Sequence, residues 1–114
     1  MKFEQFNASM DTLLDRAKQT LGQKASEYAT DEDRLQNFKQ AAGLQNITAA
    51  QALQGMMAKH QVSIADMIKS GNQYPQALWD EKIGDALNYL ILLNAVIEEE
   101  SVEMIEAKSF LGGN

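Results

Sequence analysis

Apolar residues recur along this chain at three- and four-residue spacing, the period of an α-helix rather than a strand. Phe3, Phe6, Met10, Leu14, Ala17 and Leu21 form one such stripe and predict a first helix over about residues 2–22. Residues 24–28 either extend it or form a separate turn. Thr30 followed by Asp31, Glu32 and Asp33 has the form of an N-cap with acidic residues in the first turn, where they meet the positive end of the helix dipole. A second helix is therefore expected over about residues 31–42, with Leu35, Phe38 and Ala42 inward and Gly43 as its stop. Thr48-Ala49-Ala50-Gln51 is a capping box, in which each side chain satisfies the other residue's orphan amide. It opens a third helix that runs to about Ser70 and ends at Gly71. The apolar stripe of that helix is Leu53, Met56, Met57, His60, Ile64, Met67 and Ile68. Residues 71–76, which include the single proline, form the clearest loop.

A fourth helix begins near Ala77, and its pattern runs on to Leu111. One helix of that length would be roughly 50 Å long, against a radius of gyration of about 13 Å for a domain of this size. It is expected either to break near residues 98–101 or to pack its end on another subunit. Between Ala86 and Ile97 it is apolar nearly all round, interrupted by Asn88 and Asn94, which favours an oligomer over a monomer. No Val/Ile/Thr run alternates with period two. The fold class is all-α: a compact bundle of about four helices with a long C-terminal helix, in one domain over residues 1–114, with residues 112–114 a flexible tail.

Composition adds exclusions. The chain has 114 residues, 45% of them hydrophobic, with one proline and seven glycines, enough to bury a core in helices with few interruptions. It has no cysteine, which removes disulfides, zinc–thiolate sites, iron–sulfur clusters and thiol nucleophiles. Ten basic residues against sixteen acidic ones give a net charge of −6, an argument against a nucleic-acid binder, whose affinity comes from neutralising phosphates. A small phosphorylated ligand needs only two or three cations. The arginines are Arg16 and Arg34, so candidates for a bidentate clamp are few. The segment 86–97 is shorter than the about 20 residues that cross a bilayer. A soluble, intracellular protein with no membrane partner is expected.

Three polar constellations stand out. Glu81, Asp85 and Asn88 fall at i, i+4 and i+7 and share one face of the fourth helix. Two carboxylates one turn apart can share a hard divalent cation, and the asparagine can complete an oxygen shell; the bland alternative is a solvated face near a helix start. Lys59, Ser63 and Asp66 line the third helix beside His60. A lone histidine on an apolar stripe is more often a core residue, yet with Lys59 it could contact a phosphate. Arg34 and Asn37 lie one turn apart on the second helix: arginine matches a phosphate, and asparagine can read a base edge or ribose hydroxyl. Tyr28, Trp79 and Tyr89 could stack on a base. Alternatively, Arg34 pairs with Asp31 or Asp33, Phe38 is core and Trp79 staples the start of the fourth helix.

These residues resemble a known family. Asp33-Arg34-Leu35-Gln36-Asn37-Phe38 is similar to the DRxxNF signature of small phage and prophage proteins of Gram-positive bacteria. Gly55 to His60, followed by Asp66, resembles their GxxxKH…D segment, and Trp79 to Leu90 resembles their W-x-EK-I-x-D-x-x-NYL helix. The three motifs connect the chain loosely with the nucleotide modification associated domain family. Glu81 to Asp85 also resembles the ExxD helix of the MazG-like all-α nucleotide pyrophosphohydrolases, helical oligomers that hold magnesium with a further EExxE cluster. That cluster has no counterpart here; the other acids are Asp66, Glu27, Asp31, Glu32 and Asp33.

Both resemblances imply a nucleotide and differ on whether it is cut. On the first reading the protein is an oligomeric, non-catalytic nucleotide binder that needs no cofactor; the family's phage distribution and the thin catalytic apparatus suggest sequestration, for example of a messenger of host antiviral signalling. Its ligand-binding residues would be Arg34, Asn37, Lys59, His60, Asn88, Tyr28, Trp79 and Tyr89. The second implies a magnesium-dependent phosphohydrolase with Glu81 and Asp85 on the metal and Asp66 or Glu27 completing its shell. A structural adaptor, whose polar stripes merely tie helices together, is the third possibility.

Overall fold

A computed structural model of the chain describes residues 1–22 and 33–112, the last two by their backbone alone. Tyr28, Glu27, the 24–28 extension, the Thr30 cap with Asp31 and Glu32, and residues 113–114 of the expected tail lie outside the described residues. Within them the chain is all-helical, in four helices.

Helix α1 spans Phe3–Leu21, its first turn tied by the Lys2 amide donating to Gln5 Oε1 at 3.0 Å. Helix α2 spans Gln36–Gln45, later at both ends than its sequence pattern suggested. Asp33 Oδ1 accepts the Leu35 amide at 2.9 Å and so holds residues 33–35 in a turn before the helix. At the other end Gly43 stays helical, and Asn46 makes the stop in a left-handed conformation, φ 55°. The Ile47 amide then reaches back to the Ala42 carbonyl at 3.0 Å, closing a Schellman motif.

Helix α3, Ala49–Ser70, carries the expected capping box: Gln51 donates its amide to Thr48 Oγ1 at 3.1 Å, and Thr48 donates its own to Gln51 Oε1 at 3.0 Å. It ends at Gly71 with φ 67°, a conformation that favours glycine. Ser70 organises the following loop, its hydroxyl accepting the Asn72 amide and pairing with Tyr74. Tyr74 in turn packs edge-on against Trp79, which fastens the start of the next helix.

Helix α4, Gln76–Gly112, runs 37 residues without a break. At 1.5 Å per residue that is about 55 Å, and it sets the long dimension of a molecule measuring 57 × 29 × 29 Å. The helix continues through residues 98–101 because its glutamates are held there. Glu99 pairs with Lys39 of α2, and Glu100 accepts the Ala50 amide at the open N-terminus of α3 at 3.2 Å.

Helix α3 packs along α4, α2 packs on α3, and α1 packs on α4. Leu35, Phe38, Leu53 and Val96 form the core, with Met56, Tyr89, Leu92 and Leu93 against it. Phe38 is therefore core. The α1 stripe is covered only at its far end: Ala17 is buried, whereas Phe3, Phe6, Met10 and Leu14 remain exposed. No helix among the described residues is long and apolar enough to cross a membrane.

Candidate functional site

The last turns of α1 meet the first third of α4 at a glycine. A methyl group on Gly84 would sit 3.3 Å from Arg16 Cδ and 3.4 Å from Nε, so the bare backbone of α4 is what lets the Arg16 side chain lie across it. One turn further along both helices, Thr20 and Leu21 of α1 and Asp85, Asn88, Tyr89 and Leu92 of α4 join His60 of α3 around an open cleft. Its volume is about 340 Å³, within the usual range for small-molecule sites.

Asn88 is buried at 8% exposure, and its Oδ1 finds no hydrogen-bond partner among the described residues. A buried amide oxygen without a donor is rare in folded proteins and costs about 1–3 kcal/mol. His60 and Tyr89 form the aromatic wall, with ring centroids 4.9 Å apart and planes inclined by 37°. Asp85, half-buried, adds a second acceptor on the same face as Asn88.

Four of the residues singled out in the sequence thus come together: His60, Asp85, Asn88 and Tyr89. The others lie elsewhere. Lys59 is exposed next to His60 on α3, and Asp66 is exposed further along that helix. Glu81 is exposed one turn before Asp85. Trp79 is engaged with Tyr74. Arg34 and Asn37 flank the start of α2, away from the cleft. Asp33, beside Arg34, is ion-paired at 2.8 Å with Lys39, which also binds Glu99. That pairing and the Leu35 amide hold the Asp33 carboxyl below its usual range. Among the described residues no group of three His, Asp or Glu is placed to hold a metal ion.

Arg16, named in the sequence only as one of two arginines for a clamp, and Thr20 were not placed here by the sequence. Their signal was the spacing i, i+4 on α1 facing Gly84 and Asn88 at i, i+4 on α4, together with a glycine inside an otherwise unbroken helical pattern, which marks a close approach. Comparison with family models, curated proteins and solved structures finds no match.

Proposed function

We propose that this protein binds a small nucleotide in the cleft between α1, α3 and α4 and holds it without converting it. The observation that carries the reading is the buried, unpartnered Asn88 Oδ1 at the cleft. An acceptor shut off from solvent and left unpaired at such cost favours a shift of the cleft wall that admits an N–H or O–H donor, such as a base amino group or a ribose hydroxyl. The His60–Tyr89 wall offers an aromatic surface for a base. Arg16, lying over Gly84 one turn away, is a cation for the phosphate. The motif resemblance points the same way, and in a phage-infected bacterium a signalling nucleotide is a ligand that such a binder would usefully withhold.

The phosphohydrolase reading draws its support from Asp85, the one carboxylate that lines the cleft among the described residues. Hydrolysis assisted by two metal ions needs more carboxylates than that, so binding is the reading we favour.

A depletion experiment separates the two. Purified protein is incubated with pooled nucleotides, including triphosphates, cyclic di- and trinucleotides and ADP-ribose derivatives, with and without magnesium. Mass spectrometry then identifies what is removed from solution and what returns on heat denaturation. A nucleotide released unchanged, with or without magnesium, is the expected result. Conversion that requires magnesium would establish the hydrolase instead, and a pool left intact would remove the nucleotide reading.

A further inference from the structure

Helix α4 carries a second pattern that its packing within the chain does not use. Ile83, Leu90, Ile97 and Met104 follow one another at seven-residue intervals, and they are exposed at 39, 50, 48 and 61%. Leu87, half-buried, and the exposed Asn94 and Ser101 fall between them at alternating steps of four and three. The seven positions form a continuous seam of period 3.5, about 31 Å long. Gly84, Asn88 and Val96, the buried residues of α4, face the other way, toward the remaining helices. Residues 101–110 are exposed on every side.

We propose that the occupant of this seam is the α4 helix of a second copy, paired antiparallel about a two-fold axis. A stripe of period 3.5 is matched along its length by another helix of that period, and the charge and size of the seam residues favour a reversed copy. The axis lies midway between Asn94 and Ile97. In the four inner layers a large aliphatic side chain then meets a smaller polar one, Ile97 against Asn94 and Leu90 against Ser101 of the opposite helix. In the two end layers Met104 meets Leu87, apolar on both sides, and Ile83 extends beyond them, level with Lys108 of the opposite helix. A parallel pair would instead set each residue on its own copy, leaving Asn94 opposite Asn94 and Ser101 opposite Ser101. It would also set Glu103 and Glu106 level with their own copies, which the antiparallel pair separates by about 22 and 31 Å along the axis. Opposed helix dipoles favour the same orientation. The pairing is isologous, as closed dimers require, and its one-helix width puts it at the low end of interface sizes.

Sedimentation and light scattering across low to high micromolar concentrations test the assembly. The mass is expected to rise toward twice the 12.7 kDa of the chain. Leu90→Glu combined with Ile97→Glu should hold it at the single mass throughout, with helical circular dichroism unchanged. Cross-linking tests the orientation on a background free of cysteine. Leu90→Cys with Ser101→Cys should oxidise to a covalent dimer, whereas neither single variant should. A native chain that stays at the single mass overturns the proposal, as does a dimer indifferent to both glutamates. Efficient cross-linking by Leu90→Cys alone overturns the antiparallel arrangement. If the glutamate variant loses helicity, the cysteine pair decides.

Discussion

Replacing Asn88 by leucine should make this protein more stable and a poorer binder at the same time. Leucine has nearly the shape of asparagine and carries no group that needs a hydrogen bond. The native residue holds Oδ1 out of water with no donor among the described residues, at 8% exposure of the whole residue. Relief of that penalty is worth about 1–3 kcal/mol. For a domain of this size each kilocalorie raises the melting temperature by about 4–8 °C, so calorimetry and urea titration would both resolve the gain. The same substitution leaves a ligand donor facing leucine, again about 1–3 kcal/mol, or roughly 5- to 150-fold in affinity at tenfold per 1.4 kcal/mol. Titration calorimetry with the nucleotide recovered from the pool measures it. A variant that is less stable than the native chain would show that Asn88 is satisfied in the folded state. A variant that is more stable but binds unchanged would separate the amide from the ligand. Either result would refute the reasoning that makes the cleft a site.

Arg16→Ala should weaken binding of a nucleotide at least tenfold while leaving the matching nucleoside unaffected, since the arginine is assigned to phosphate; equal losses for the two would remove that role. Gly84→Ala should reproduce part of the effect by pushing Arg16 off its perch, where a methyl would approach Cδ to 3.3 Å. Thr48→Ala removes the capping box of α3 and should cost about 1 kcal/mol in urea unfolding. Lys39→Met should destabilise in a pH-dependent way. The Lys39 hydrogen bond, followed by the Leu35 amide, depresses the folded pKa of Asp33 below its unfolded value. The contribution is therefore complete above about pH 4 and is lost as the pH falls through the folded pKa. Lys39 itself, raised by Asp33 and then Glu99, stays charged throughout. The urea midpoints of native and variant protein should differ at pH 6 and converge in acid; a gap that persists there would assign the effect to packing.

The elements with explicit punctuation were legible in advance. The Thr48 box and Gly71 fixed α3 at both ends, because each supplies a local partner or conformation independent of tertiary packing. The ends of α2 were not. Asp33 looked like part of a helical first turn but closes a turn ahead of the helix, and Gly43 looked like a stop that Asn46 provides instead. A glycine permits a left-handed residue without demanding one, and the choice was made by the Ile47 amide finding Ala42. In the site, Asp85, Asn88 and Tyr89 were legible as polar and aromatic positions on one helix. Their convergence with His60 depends on the α3–α4 register, which no local pattern states. The position of Arg16 was hidden for the same reason: its partner is a glycine on another helix, visible only once the two backbones touch.

The apolar character of α4 on nearly all sides follows from two surfaces that share one helix. Gly84, Asn88 and Val96 face α1 and α3, while Ile83, Leu90 and Ile97 face outward. An inward face in so apolar a helix has little reason to carry Asp85 and Asn88, which is why those residues mark the cleft rather than the fold. An outward face has little reason to carry four large apolar side chains at seven-residue spacing, which is why they mark a partner. Because the faces are opposed, pairing of two copies leaves both clefts open, and the proposed dimer and the proposed site should be separable. The variant with Leu90→Glu and Ile97→Glu should bind nucleotide with the native affinity as a monomer, and Asn88→Leu should lose the ligand while remaining a dimer. If the glutamate variant lost the ligand with its helicity intact, the two faces would be coupled. The cleft would then need the second copy to be complete.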